Sequence, residues 1–319
     1  MRVPTLACAA LVQFSCAKAV PPASVNTSSV ARQVASSRST PDVYPDPYIK
    51  VVAGLDFTCA LRASGLVECF GKNDHGQSSP PPGRFSTIST AGDRSGVCGV
   101  LTSGALQCWG DWSPQPLPPG EMTDVCFEDH DGCAIHKSDR HVECWGNRSA
   151  DPPSNFVASS LSCNAPGRCA LSDTGQLECW TTGQATPTQR REAFSAVSVG
   201  VQYACGILYS DRSLMCWGNN GAEPKPKPTR GTRYTALSGG TFLFCAVTNT
   251  YRLECFAAPA LDAAYTLNKQ DILPPPELSH APVRDVSCGW NHSCAILTTG
   301  EIACWGNRAF GMAPRRRNP

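Results

Sequence analysis

Residues 59–70 read Cys59-Ala-Leu-Arg-Ala-Ser-Gly-Leu-Val-Glu-Cys69-Phe70, and six further stretches follow the same pattern. They start at Cys98, Cys133, Cys169, Cys205, Cys245 and Cys294, and end on Cys108-Trp109, Cys144-Trp145, Cys179-Trp180, Cys216-Trp217, Cys255-Phe256 and Cys304-Trp305. The paired cysteines lie 10 or 11 residues apart, and successive first cysteines are 39, 35, 36, 36, 40 and 49 residues apart. Seven matches at one spacing define an internal repeat.

Working outward from Cys59, residues 59–61 and 66–69 have strand character, with Ala63-Ser64-Gly65 between them as a reversal. Folding about Ser64 places Cys59 opposite Cys69, since both are five residues from the centre. Opposed Cα atoms in an antiparallel pair sit about 4.5–5.5 Å apart, a separation that suits a disulfide. The same logic pairs Cys98 with Cys108, Cys133 with Cys144, Cys169 with Cys179, Cys205 with Cys216, Cys245 with Cys255 and Cys294 with Cys304. The two units with spacing 11 carry Ser-Asp in place of the glycine. A further strand precedes each hairpin, at 49–54, 87–91, 122–126, 158–163, 196–200, 235–239 and 283–289. The turn-rich stretch after it, best seen in Gly71–Gln77, leaves room for a short fourth strand. Three or four antiparallel strands per unit describe a propeller blade. The expected fold is an all-β, seven-bladed β-propeller over residues 48–314, with one hairpin disulfide per blade.

The pattern V-x-x-G-x-x-x-x-C-A-L-x-x-x-G-x-x-x-C-W-G-x-N resembles the RCC1 repeat. In having two cysteines per repeat it is similar to the extracellular domain of the CRINKLY4-type plant receptor kinases. Its Trp-Gly-x-Asn and Gly-Gln…Pro elements resemble propellers of the β-lactamase-inhibitor-II type. The resemblance covers about residues 48–314; it implies the propeller fold and leaves function open, because propellers host many functions. Several positions depart from the pattern. Blade 6 has Phe256-Ala257 and blade 4 has Trp180-Thr181 where Trp-Gly is expected, and only blade 7 has a histidine before its first cysteine, in Trp290-Asn291-His292-Ser293-Cys294. An insertion at 257–280 separates blades 6 and 7. No kinase or further cysteine-rich module follows in this sequence, so receptor signalling by this chain alone is not expected.

Cysteine usage also bears on the compartment. Nineteen cysteines in 319 residues, with no C-x-x-C pair, suit an oxidising compartment and oppose both a zinc site and redox catalysis. Residues 1–19 read as a signal peptide, with the apolar stretch Leu6–Val12 before Ala17-Lys18-Ala19; cleavage there would remove Cys8 and Cys16. Residues 20–47 form a Ser/Pro-rich disordered linker, and 315–319 a basic tail with Arg315-Arg316-Arg317. No later segment approaches the roughly 20 apolar residues of a membrane span. A net charge of +1 gives no global attraction to nucleic acid. Asn26, Asn147 and Asn291 stand in N-x-S/T sequons, of which Asn147 and Asn291 are the glycosylation candidates within the propeller.

Residues for chemistry are few. No catalytic motif, cofactor motif or metal-ligand spacing is present, so no catalytic, cofactor-binding or metal residue is assigned. The seven aromatics that follow the second cysteines read as blade-to-blade packing. Trp112 and Trp290 lie outside that set and are the candidate binding contacts. Glu128-Asp129-His130-Asp131-Gly132 lacks the spacing of a calcium loop and reads as a solvated loop. The basic connector Pro224–Arg233 reads as a solubilising loop, with a sulfated glycan or anionic surface as the alternative. Of the remaining cysteines, Cys126 and Cys163 can bridge neighbouring blades, which leaves Cys288 odd. The expected function is a secreted, non-enzymatic binding or scaffold module for an extracellular protein or glycan docked on one face. The alternatives are an RCC1-type exchange factor for a small GTPase and a hydrolase or lyase with carboxylates in the channel. Two or more acidic side chains in the channel with raised pKa values would favour the last.

Overall fold

The computed structural model describes residues 45–90, 95–111, 116–128, 131–146, 152, 156–164, 167–181, 188–201, 203–218, 228–241, 243–257 and 273–306. Seven antiparallel sheets follow one another along the chain, each made of consecutive strands. Blade 1 is β1 (Tyr48–Ala53), β2 (Phe57–Arg62) and β3 (Val67–Gly71); blade 2 is β4 (Phe85–Thr90), β5 (Gly96–Leu101) and β6 (Leu106–Gly110). Blade 3 is β7 (Met122–Glu128), β8 (Asp131–His136) and β9 (Val142–Trp145). Blade 4 is β10 (Ser160–Asn164), β11 (Gly167–Leu171), β12 (Leu177–Thr181) and β13 (Thr188–Gln189). Blade 5 is β14 (Phe194–Val199), β15 (Tyr203–Leu208) and β16 (Leu214–Gly218); blade 6 is β17 (Tyr234–Gly239), β18 (Leu243–Thr248) and β19 (Leu253–Ala257). The short helix α1 (Pro276–His280) closes the insertion, and blade 7 is β20 (Val283–Cys288), β21 (His292–Leu297) and β22 (Ile302–Gly306). Among the described residues only blade 4 has a fourth strand.

The cysteines stand directly opposite each other in all seven hairpins, with Cα atoms 4.0–4.1 Å apart and a disulfide across each pair. Each blade is apolar on both faces, so its hydrophobic surface must be covered by neighbours. Each of the seven core clusters accordingly spans two adjacent blades and includes one post-cysteine aromatic, as where Phe57 and Leu61 of blade 1 meet Phe85, Ile88 and Trp109 of blade 2. The packing expected of those aromatics is what the structure shows.

Two hydrogen-bond motifs repeat around the ring and join blade to blade. In the first, the residue at the hairpin tip has a positive φ, which turns its carbonyl outward to accept an N–H at or just before the start of the next blade's inner strand. Gly65 accepts from Phe85, Gly104 from Met122, Arg140 from Ala158, Gly175 from Phe194, Arg212 from Tyr234 and Tyr251 from Val283, at 2.8–3.0 Å. Gly300 accepts from Tyr48 at 3.2 Å and closes the circle. In the second, a serine of the inner strand accepts an N–H from the next blade: Ser89 from Phe127, Ser162 from Val199, Ser198 from Gly239, Ser238 from Cys288 and Ser287 from Ala53, at 2.9–3.2 Å. Cys126 occupies the serine position of blade 3, and Cys163 that of its partner in blade 4; these two are disulfide-bonded. In blade 1 the position is Val52, and this seam is joined instead by Lys50 Nζ donating to Thr87 Oγ1 at 2.7 Å.

Among the described residues no strand is shared between the first and last blades, and the 7/1 seam is held by local contacts. His292 Nε2 lies 2.8 Å from Thr58 Oγ1 there, and Asn291 Nδ2 donates to Asp56 Oδ1 at 2.6 Å. Burial pushes the His292 imidazole down to about 4 from its ordinary 6.5, against a smaller opposing pull from Asp56. The unfolded chain therefore binds a proton that the folded chain refuses between about pH 4 and 6.5. Stability is full above that window and is expected to fall by up to about 3 kcal/mol on acidification through it. Replacing His292 with Phe, the residue at the equivalent position 57, should flatten that part of the curve in urea melts between pH 4 and 7. An unchanged slope would remove His292 as its source.

Candidate functional site

The inner strands enclose a channel of about 340 Å³. In six blades a bulge after the first residue of the inner strand re-aims the side chains beyond it. The residue after the bulge, and its equivalent Ser160 in blade 4, define one level of the ring. In order from blade 7 to blade 6 this level holds Asp285, Lys50, Thr87, Asp124, Ser160, Ala196 and Ala236. Five adjacent polar positions face two alanines. Asp124 Oδ2 accepts the Leu161 N–H at 3.0 Å, and Asp285 Oδ1 accepts the Val286 N–H at 2.9 Å. The two carboxyls are half-buried in the channel wall, largely surrounded by protein. This burial raises both above the usual carboxylate range, partly offset by those N–H bonds and by Lys50, which acts on both.

A carboxyl whose folded pKa is raised contributes stability below the unfolded pKa and loses it as pH rises through the folded value. Asp285→Asn leaves Lys50 with Asp124 as its counter-charge. It is expected to raise the melting temperature at pH 7, with the difference from wild type closing toward pH 3. A lower melting temperature at pH 7 would show that the Asp285–Lys50 attraction outweighs burial.

Of the acidic stretch of blade 3, Asp129 and His130 lie outside the described residues, and its other two acidic residues are not solvated. Glu128 and Asp131 are buried, and Arg168 of blade 4, 1% exposed, lies 2.7 Å from Glu128 Oε1 and 3.7 Å from Asp131 Oδ2. The position of Asp131 holds an apolar side chain in three other blades (Phe57, Tyr203 and Leu243), glycine in two (Gly96 and Gly167) and His292 in one, so the carboxylate stands where three of the blades place an apolar filler. Sequence reading missed Arg168, whose partners lie about 40 residues away in another blade. Cys288 is a free, buried cysteine whose thiol is pushed up to about 12 by burial, which leaves it protonated and unreactive.

Of the residues singled out from sequence, Trp112 and Asn147 lie outside the described residues, as do 1–44 and the basic tail. Trp290 is half-buried in the turn between β20 and β21, at the position of Leu55 and Val201 in blades 1 and 5. It is thus on the opposite face from the hairpin tips. Asn291 is half-buried, and the nitrogen that would carry a glycan is already bonded to Asp56 in the 7/1 seam, which counts against modification there. The exposed large hydrophobics among the described residues are Ile49, Leu66, Val157, Tyr209 and Tyr251, and all five lie on the hairpin-tip face. None was picked out from sequence. For Tyr251 the signal was there: it stands six residues after Cys245, where blades 1, 2, 4 and 7 have glycine.

A sevenfold repeat of inner strand and stapled hairpin around a polar channel defines a seven-bladed β-propeller. The family described as Regulator of chromosome condensation (RCC1) repeat matches residues 48–77 and 283–311, which are parts of blades 1 and 7. The CRINKLY WD40 ectodomain of the Arabidopsis thaliana receptor kinase ACR4 superposes with a TM-score of 0.66 at 24% identity, covering 84% of this chain and 99% of that one. The entire ectodomain of the Physcomitrella patens receptor kinase CR4 gives 0.64 at 22% identity, covering 82% of this chain and 74% of that one. The serine/threonine-protein kinase-like protein CCR4 of Arabidopsis thaliana is 27% identical over 143 residues, 44% of this chain. That match spans only 18% of the kinase-like protein. This chain is an RCC1-like propeller with the fold of CRINKLY-type ectodomains.

Proposed function

We propose that the protein is an extracellular, non-enzymatic binding module that presents a propeller face to a protein or glycan partner. The observation that carries this reading is the rigidity of the ring: eight disulfides and a continuous circle of inter-blade bonds hold loops from different blades in fixed positions. A preorganised surface loses little entropy on binding. The disulfides also suit an oxidising compartment and oppose a cytosolic exchange factor. On this reading residues 1–19 direct secretion, 20–47 form a linker, and Asn147 carries a glycan. The fold shared with receptor-kinase ectodomains supports an extracellular role.

The test is to secrete the full chain, sequence its mature N-terminus and screen it against a library of extracellular domains and a glycan array. A mature start near Val20 and a saturable partner are expected. An intracellular, reduced product would overturn the reading. The channel favours one alternative, because Asp124 and Asp285 are carboxyls of the channel wall with raised pKa values, as an acid–base pair would need. That reading predicts hydrolysis or elimination on a panel of glycosides and polysaccharides, abolished by Asp124→Asn. No turnover across the panel would leave binding alone.

A further inference from the structure

Blades 5 and 6 differ from the rest of the hairpin-tip face. The tips 208–213 and 248–252 and the segments leading into β14 and β17 touch one another through backbone bonds: Tyr209 N to Ala193 O, Tyr234 N to Arg212 O, and Asn249 N to Arg233 O, each 2.8 Å. Along this arc stand Arg190, Arg191, Arg212, Arg230, Arg233 and Arg252, against Glu192, Asp211 and, on the adjoining α1, Glu277. The formal charge of +3 compares with +1 for the whole chain. All six arginines but the half-buried Arg190 are exposed. Elsewhere on the face Arg140 pairs with Asp173 and Lys137 with Glu121, while Arg84 donates to the carbonyl of Ser64. In the arc Arg212 donates to the hydroxyl of Ser195 at 2.7 Å and Arg252 to the carbonyl of His280 at 2.6 Å, and Arg233 attracts Asp211.

Two tyrosines stand in the same arc, Tyr209 at 64% and Tyr251 at 53% exposure. Tyr251 is the more informative. The inter-blade bond at the hairpin tip requires a positive φ, and blades 1, 2, 4 and 7 meet it with glycine, the least strained choice. Blade 6 meets it with a bulky aromatic at φ 61°, whose ring is then left in solvent. The backbone does not need that ring, so the strain points to use of the side chain.

We propose that this arginine–tyrosine arc is the partner-binding surface and that it takes an acidic, Asp/Glu-rich segment of a protein partner. Guanidinium forks match carboxylates in two-pronged fashion, and among the described residues the arc's cations are all arginines. Exposed tyrosine beside arginine is the composition of protein-interface hot spots. This deepens the binding-module reading and rests on it.

The test uses the full secreted chain and a fluorescent decaglutamate peptide at low ionic strength, with a neutral Gly/Ser peptide and a heparin oligosaccharide as comparators. Decaglutamate should bind and the neutral peptide should not. Arg230→Ser with Arg233→Ser should weaken binding about tenfold. Tyr251→Gly should weaken it about fivefold while the melting temperature holds or rises, because glycine relieves the strained position. Removing the same charge on blades 2 and 3, by Arg84→Ser with Lys137→Ser, should change affinity less than about twofold if the arc is the site. Decaglutamate binding no better than the neutral peptide, or equal losses from both pairs of charge removals, would overturn the proposal. So would binding of heparin alone, in favour of a sulfated glycan. A partner from the extracellular screen that binds these variants as tightly as wild type would remove this surface and leave the module reading standing.

Discussion

Reduction of the folded protein in native buffer should unfold it at 37 °C. Each hairpin disulfide closes a loop of 10 or 11 residues and stabilises by about 2.7 kcal/mol in the chain-entropy description. Seven of them contribute on the order of 19 kcal/mol, and the Cys126–Cys163 bridge, closing 37 residues, adds about 3.8 kcal/mol. Net stabilities of folded proteins are about 5–15 kcal/mol, so the blades without their bridges are expected to fall below zero. Loss of near-ultraviolet dichroism on adding reductant checks this. A reduced protein melting within a few degrees of the oxidised one would show that inter-blade packing alone carries the fold. The bridge between blades 3 and 4 permits a finer comparison. Cys126→Ser restores the residue used at five other seams and should recover a hydrogen bond to the Cys163 N–H, worth about 1 kcal/mol. Cys126→Val recovers nothing.

Arg168→Ala is expected to destabilise by about 3–5 kcal/mol, because it leaves the buried Glu128 and Asp131 carboxylates without their cation. The pair is costly to form as well as costly to break, since charges taken from water lose hydration that the attraction only partly returns. The defect should therefore be largely repaired by removing the charges as well. Arg168→Met with Glu128→Leu and Asp131→Leu is expected to fold with near wild-type stability in urea melts, since Leu243 already occupies the Asp131 position in blade 6. If the triple variant is as unstable as Arg168→Ala, the three residues do more than fill space, and the seam between blades 3 and 4 depends on their hydrogen bonds.

What could be read from sequence depends on how local each feature is. The hairpin pairing was legible because both cysteines and the turn between them lie within 12 residues, so spacing alone sets the register of Cys59 with Cys69 and of its six equivalents. The packing role of Trp109, Trp145 and their equivalents was legible because one aromatic per blade at a fixed position can serve only a contact that itself repeats. The choice of Trp290 as an exposed contact was less informative. The structure places that side chain half-buried on the face away from the exposed tyrosines, Tyr209 and Tyr251.

The sequence by itself determined the repeat, the blade count, the strand order and the stapled hairpins, because each rests on residues close in the chain. Tertiary structure alone decided which repeat position faces the channel, and so brought Asp285, Lys50 and Asp124 from separate blades to one level. It also decided that Glu128 and Asp131 would be buried against Arg168. Each of these depends on the angle at which one blade is set on the next. That angle is fixed by packing and by the bonds between blades, and it leaves no mark in the spacing within a single repeat.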